Sequence, residues 1–369
     1  MSATSFDYGF MSLMRAPGNP GRHLSLVRSA SRIEGAPSPA AEVTVIIAAY
    51  NSAGTIARAI ESALAEPETA ELVVVDDGSS DDTIGQAQRA DDGSGRMKIL
   101  AQPVNRGPSV ARNRALQNST APWIAILDAD DFFLPGRLKS LLHYADKADF
   151  IADNLLQVDE QARDGEGSPL LHTIEPPRFV DFQQFVLANI SGGKRERAEY
   201  GILKPLIRRS FLMDHALAYR ENMRLGEDYE LYARALALGG AFLLVSDQQK
   251  YVSVIRTASL SGRHTEHDLE QLRDCDDALA EIPGLSARDK AILRKHQLSI
   301  QCRLQWRLFL QAAKVRDLKG MVLPFIHPFP VPMYLAGLAG KQILREPWRL
   351  FKHVVLGRPT PQRAAAKAR

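Results

Sequence analysis

From Val43 onward the chain alternates short apolar runs with stretches of helical spacing. Val43-Thr44-Val45-Ile46-Ile47-Ala48-Ala49 is β-branched and apolar almost throughout, the pattern of a strand buried on both faces of a parallel sheet. Ser52 to Leu64 then carries apolar residues at helical spacing. Glu71 to Val75 predicts a second buried strand, stopped by Asp76-Asp77-Gly78. A helix over Asp81–Ala90 follows, with acids in the first turn, where the helix dipole favours them. Met97–Ala101 reads as a third strand, Ser109–Gln117 as a helix and Trp123–Leu127 as a fourth strand, ended by Asp128, Asp130 and Asp131.

Beyond this point the pattern is less regular. Ala148–Asn154 and Tyr200–Arg209 predict strands, with a polar loop over Asp159–Glu175 between them. Glu227–Leu238 is an amphipathic helix with Leu231, Ala235 and Leu238 on one face. Ala241–Ser246 and Lys250–Arg256 predict two more strands. His267 to Leu318 is mostly helical, broken at Ile282-Pro283-Gly284. Alternation of strand and helix implies an α/β fold with a doubly wound, mostly parallel sheet, helices on both faces and a helical C-terminal region. Ligands of such sheets sit beyond the carboxyl ends of the strands. Three of the first four strands end there in Tyr50-Asn51, Asp76-Asp77 and Asp128 to Asp131.

The chemistry available at that edge is acidic. Asp128, Asp130 and Asp131 repel one another without a cation, and hard divalent metals use few carboxylates plus substrate phosphates. A metal between Asp130 and a diphosphate is one reading; a solvated acidic turn before Phe132 is the other. Asp76-Asp77-Gly78-Ser79 is normal turn and cap chemistry, and also a carboxylate able to accept hydrogen bonds from a base or ribose. Arg106 and Arg112 supply cations that pair with phosphate or with the nearby aspartates; taken alone, the second is favoured.

Bulk properties narrow the class. Of 369 residues, 45% are hydrophobic and 24% charged, ordinary for a globular protein, and a net charge of +3 is too small to argue for nucleic acid. Cys275 and Cys302 are far apart, outside metal-ligand spacing, and fit a reducing cytoplasm. Residues 1–41 hold Arg15, Arg22, Arg28 and Arg32 among Ser, Pro and Gly. This superficially resembles a transit peptide, but a disordered extension, or an upstream start before Met11 or Met14, is the expectation. Met321–Ala339, the best transmembrane candidate, is broken by Pro324, Pro328, Pro330 and Pro332, so no span is expected. The end of the chain mixes apolar residues with Lys341, Arg345, Arg349, Lys352, Arg358, Arg363, Lys367 and Arg369 against Glu346 alone. That combination suits a membrane-surface segment, and equally a packed helix with a solvated basic end.

Five segments, in order and at the right spacing, resemble the family 2 glycosyltransferases of the GT-A fold: Val45 to Asn51, Val75 to Asp81, Asn105-Arg106-Gly107 with Ala111-Arg112-Asn113, Leu127 to Asp131, and Gly226-Glu227-Asp228. The resemblance covers roughly residues 43–260. It is greatest to bacterial exopolysaccharide enzymes of the succinoglycan type, through Ala59 to Ala65 and Ala152-Asp153-Asn154-Leu155. It implies that Ala48, Tyr50 and Asp77 hold the nucleotide base, that Arg112 lies near the nucleotide and that Asp128 contacts ribose or metal. It further implies that Asp130 ligates Mn2+ or Mg2+, that Asp228 is the base deprotonating the acceptor hydroxyl, and that Glu227 shapes the acceptor site. Asp131 is auxiliary. The donor implied is UDP-glucose and the acceptor a glycan or lipid-linked oligosaccharide. One departure is that Arg256 stands where many members place a histidine metal ligand before Ser259-Leu260-Ser261, while His264 follows that motif.

The resemblance thus implies an inverting, metal-dependent glycosyltransferase of polysaccharide biosynthesis, cytoplasmic or peripheral on the cytoplasmic membrane face. The expected organisation is an extension at 1–41, a GT-A catalytic domain at 42–265, a helical accessory region at 266–320 and an apolar, basic tail at 321–369. Two rivals are weaker. A sugar nucleotidyltransferase wants a Gly-rich, Arg-containing loop where Ala49-Tyr50-Asn51-Ser52 stands, and an oxidoreductase wants a G-x-G-x-x-G. A nucleotide-sugar-binding protein without transfer activity is separated only by Asp228, which as a plain helix cap would carry no chemistry.

Overall fold

The computed structural model describes residues 42–160, 167–172, 175–190, 199–256, 264–338 and 340. The expectations for 1–41, for Ser259-Leu260-Ser261 and for the basic residues beyond 340 lie outside the described residues.

The chain runs β1 (Val43–Ala49), α1 (Ile56–Leu64), β2 (Thr69–Asp76), α2 (Thr83–Arg89), β3 (Met97–Ala101), α3 (Pro108–Gln117) and β4 (Trp123–Ile126). It continues through β5 (Phe132–Phe133), α4 (Arg137–Leu142), β6 (Phe150–Asp153), β7 (Leu155–Asp159), β8 (Gly167–Pro169), β9 (Arg178–Val180), α5 (Phe182–Ala188), β10 (Leu206–Arg208) and α6 (Arg209–Asp214). Then come α7 (Glu227–Ala237), β11 (Phe242–Val245), β12 (Tyr251–Ile255), α8 (Glu266–Ala280), α9 (Ala287–Lys314) and α10 (Leu318–Val322).

Among the described residues the main sheet has the order β3-β2-β1-β4-β10-β6-β11-β9. Neighbouring β1, β2, β3 and β4 are parallel, while β10 runs antiparallel to both β4 and β6, and β9 antiparallel to β11. The sheet is mostly parallel, as its apolar runs predict. Val45, Ile46 and Ile47 are fully buried, so β1 shows no polar face. A second sheet, β5-β12-β7-β8, stands beside the end of β4.

Several expected elements differ in extent. The first helix begins at Ile56 rather than Ser52, because Ser52 O accepts from Thr55 N and Ile56 N in a preceding turn. The acids of Asp81–Ala90 lie before α2, not in it: Asp81 accepts from Ala53 N and Thr83 N, tying the ends of β1 and β2 together. Of Tyr200–Arg209 only Leu206–Arg208 is strand; Tyr200–Ile202 is a 3₁₀ turn and Arg209 opens α6. The loop expected over Asp159–Glu175 contains β8. Met321–Ala339 forms no single helix, breaking into the end of α10, a 3₁₀ turn over Leu323–Ile326 and a helix over residues 331–338. Among the described residues no helix is long and apolar enough to cross a membrane.

The C-terminal helices are sharply bounded. Thr265 with Asp268 and Ser286 with Asp289 each form a reciprocal capping box, opening α8 and α9. α8 packs on α7, and α9 meets α5, where Gln183 Nε2 donates to Asp289 Oδ1 at 2.7 Å. Gly226, at φ 74°, caps α7 in the left-handed region, and a Cβ there would stand 2.5 Å from Leu272 Cδ1 of α8. Buried Tyr229 of α7 donates to Asp276 Oδ1 of α8 at 2.9 Å, and His296 Nδ1 of α9 meets Asp276 Oδ2 at 2.6 Å.

Candidate active site

The parallel strands deliver their C-terminal residues to one edge, where two groups of side chains collect. The first lies past β1 and β2. Asn51 N donates to Ser79 Oγ, and Ser80 N to Asn51 Oδ1, lacing the two strand ends into a shelf. Gly78 is required here: its φ is 72°, and a Cβ would come within 2.6 Å of the Val104 carbonyl carbon. Ala48 is half-buried on this shelf and Tyr50 is 41% exposed.

Asp77 is buried and accepts from Gln102 Nε2 (3.0 Å), Arg106 N (2.8 Å) and Gly107 N (2.7 Å). It organises the loop that feeds α3, and burial pushes its carboxyl up against those hydrogen bonds. Its neighbour Asp76 is equally buried, and Asp76 Oδ1 has no hydrogen-bond partner. The sequence sets Asp76 in the same acidic strand end, while the resemblance gave a role to Asp77 alone.

The second group centres on Arg112, buried in α3. Its guanidinium meets Asp128 Oδ1 at 2.9 Å, Glu227 Oε1 at 2.9 Å and Asp228 Oδ1 at 3.1 Å. Of the two partners open to Arg112 in the sequence, phosphate or nearby carboxylates, the structure shows carboxylates. Lys204 Nζ closes the ring, 3.0 Å from Asp128 Oδ2 and 2.6 Å from Asp228 Oδ2. Burial pulls the Asp128 carboxyl up, yet Lys204 and Arg112 outweigh it and hold it down at about 2. Burial likewise opposes the Lys204 ammonium, and Asp128 with Asp228 raise it regardless. Glu227 is pushed up by burial despite Arg112.

Asp228 is the second residue of α7, whose cap is Gly226, so its carboxylate serves the cluster rather than the helix end. Lys204 escaped the sequence reading. The available signal was a lone lysine within Gly201-Ile202-Leu203-Lys204-Pro205-Leu206-Ile207, where a charge in an apolar run demands a buried partner.

Asp130 and Asp131 occupy the third position. Val254 N donates to Asp131 Oδ1 at 2.8 Å, and the Tyr251 hydroxyl both bonds Asp131 and accepts from Asp128 N at 3.1 Å. Buried Asp131 is pushed up to about 7 by desolvation and then by Asp128 and Asp130. Asp130 is half-buried and raised by desolvation and by Asp128, while the Arg256 charge lowers it. Arg256 itself pairs with Glu160 at 3.4 Å. His264 stands before the α8 cap, and its charge acts on Glu266.

Asp128 has both oxygens committed to cations, and Asp130 and Asp131 add further carboxylates beside it. No group of three or more His, Cys, Asp or Glu able to hold a metal occurs among the described residues. A half-buried, charge-crowded carboxylate fits a hard cation that takes most of its oxygens from a substrate diphosphate.

Comparisons with known proteins bear on the family and the fold. The profile of the family described as Glycosyl transferase family 2 matches residues 44–193. Succinoglycan biosynthesis protein ExoU of Rhizobium meliloti (strain 1021) is 45% identical over 300 residues, covering 80% of this chain and 86% of the relative. The crystal structure of S. aureus TarS 1-349 in complex with UDP-GlcNAc aligns with a TM-score of 0.57 at 19% identity, covering 76% of this chain and 89% of that one. The mannosyltransferase PcManGT from Pyrobaculum calidifontis, in complex with GDP-Man and Mn2+, aligns with a TM-score of 0.51 at 19% identity, covering 87% and 86%. The two structural likenesses bear on the fold.

Proposed function

The chain belongs to glycosyltransferase family 2, and on that premise we propose that it transfers glucose from UDP-glucose, with inversion, to a lipid-linked glycan in polysaccharide biosynthesis. The observation that carries this reading is the closed ring Arg112–Asp128–Lys204–Asp228 at the carboxyl edge of the sheet, directly beside Asp130. The bound UDP-GlcNAc of TarS supports a UDP-sugar donor, and the similarity to ExoU, a succinoglycan biosynthesis protein, supports a place in polysaccharide biosynthesis. The work is placed on the cytoplasmic side, peripheral to the membrane that carries the acceptor.

Each group has a role in this reading. Ala48, Tyr50 and Asp77 form the nucleotide shelf, with the half-exposed Tyr50 ring free to lie against the base. Asp130 is the residue that would hold Mn2+ or Mg2+, and such a cation would supply Lewis-acid stabilisation to a departing phosphate oxygen. Arg112 and Lys204 fix Asp128 and Asp228 relative to one another. Asp228 takes the proton from the acceptor hydroxyl as that oxygen attacks the anomeric carbon, and Glu227 lines the acceptor side. One base acting on the face opposite the leaving group means a single displacement, so an α-linked donor gives a β-linked product.

The test is nucleotide release and sugar transfer from UDP-glucose, UDP-galactose, UDP-GlcNAc and GDP-mannose, each with Mn2+, Mg2+ or chelator. Metal-dependent turnover of UDP-glucose is the expected result. Tight UDP binding with no turnover of any donor would leave a nucleotide-sugar-binding protein. Equal UDP affinity with and without metal, or no loss in Asp130→Ala, would remove the metal assignment.

A further inference from the structure

The segment after α9 is packed on one side and bare on the other. Val331 and Leu335 are buried with Cys302 of α9, and the Phe325 ring meets Phe309 edge-on at 5.7 Å. Its outer side holds Leu318, Val322, Leu323, Ile326, Phe329 and Met333, each between 59% and 75% exposed. Leu318 and Val322 lie one turn apart on α10, while Phe329 lies in the turn just before the helix over 331–338 and Met333 in its first turn. Single exposed apolar residues are ordinary, but six within residues 318–333 make a patch that needs a covering.

The charges beside the patch select what covers it. Lys314, Arg316 and Lys319 are exposed next to it, and Asp317 is the one acid between 314 and 340. A second copy of the chain would bring the same cations face to face. Residues 341–369 carry eight Lys and Arg against Glu346, so they too are repelled rather than matched. A surface at once apolar and anionic satisfies both features. We propose that residues 314–333 are an interfacial docking surface for an anionic lipid bilayer, on which the segment lies without crossing. This rests on, and deepens, the reading of the acceptor as lipid-linked: docking there holds the enzyme at the surface where that acceptor lies.

Co-sedimentation of the full chain with vesicles tests it, using phosphatidylcholine alone or mixed with phosphatidylglycerol. The chain should pellet with the mixed vesicles, and about tenfold less with phosphatidylcholine. Leu323→Glu/Ile326→Glu/Phe329→Glu places charges only at exposed positions. It should lower partitioning about tenfold or more, with UDP affinity and melting temperature unchanged. Lys314→Gln/Arg316→Gln/Lys319→Gln should remove the preference for phosphatidylglycerol. Unchanged partitioning in the triple-Glu variant would overturn the proposal. So would a concentration-dependent dimer, seen by light scattering without lipid, that the same variant abolishes. A chain that partitions as expected but turns over no donor would uphold the surface and sink the transferase reading, so the two fail separately.

Discussion

Lys204 Nζ lies 2.6 Å from Asp228 Oδ2 and, on its other side, 3.0 Å from Asp128 Oδ2. One ammonium therefore joins the turn after β4 to the first turn of α7. Lys204 and Asp228 are buried and Asp128 is half-buried, and away from water attraction between opposite charges is strong and an unpaired charge is expensive. Two cations, Arg112 and Lys204, face the three carboxylates of Asp128, Glu227 and Asp228. The cluster is thus short of positive charge even before Asp130 and Asp131 are counted.

Asp228→Asn should keep the fold and stop the chemistry. Its amide oxygen keeps one of the two contacts, to Lys204 or to Arg112, and takes up no proton, while two cations remain against the two carboxylates of Asp128 and Glu227. Turnover should fall by about 100-fold or more, the scale of losing a general base, with melting temperature and UDP affinity near those of the parent. Rapid-quench transfer assays alongside calorimetry decide it; near-parental transfer would take Asp228 out of the mechanism.

Lys204→Met leaves the buried Asp228 and the half-buried Asp128 with only Arg112 between them. Breaking a buried pair on one side costs about 3–5 kcal/mol, so urea unfolding should shift by that order. Lys204→Arg keeps the charge and should recover most of it. Equal losses in both variants would mean that the site needs the shape of lysine, not its charge.

Glu71 gives the fold a dependence on acid. It accepts from Thr44 Oγ1 (2.6 Å), Thr120 Oγ1 (2.7 Å) and Thr120 N (2.9 Å), joining β2 to the start of β1 and to the turn before β4. Burial raises its carboxyl, but these hydrogen bonds outweigh burial and lower it to about 2. Because the folded value lies below the unfolded one, the stabilisation is complete above about pH 4.5 and is lost as pH falls toward 2. Glu71 is half-buried, and after solvent screening the contribution is about 1–2 kcal/mol. The stability gap between the parent and Glu71→Gln should therefore shrink from pH 6 to pH 3. A constant gap across that range would refute the assignment.

Tyr229, Asp276 and His296 should behave as one unit. The Tyr229 and His296 rings stack at 4.3 Å while both bond Asp276, fastening α8 and α9 to the helix that carries Asp228. His296→Leu alone strands a buried carboxylate and should cost about 3–5 kcal/mol. Adding Asp276→Leu should cost less than the sum of the single changes, with a coupling of about 0.5–3 kcal/mol in a double-mutant cycle. Additive losses would show that the two side chains act independently.

Much of the catalytic half was legible because its elements announce themselves locally. β1 and β3 fall on Val43–Ala49 and Met97–Ala101 as their apolar runs predict, and α7 on the periodicity of Leu231 and Ala235. Short elements were not legible. β5 has two residues and α4 six, too few for any period to show, yet β5 is part of what holds the acidic turn against Tyr251.

By itself the sequence determined that acids gather at strand ends, because buried runs must stop where polar residues begin. It also determined that the five segments come in a family's order. Only the tertiary structure decided how those acids are balanced. β10 enters the sheet antiparallel between β4 and β6, with Leu206 opposite Ala125. The residue just before an antiparallel strand emerges at the same edge where parallel strands finish, and that residue pair is Lys204-Pro205. Strand direction depends on which neighbours a segment finds, not on its own pattern, so the lone lysine could announce a buried partner but only the closed sheet decided that its partners are Asp128 and Asp228.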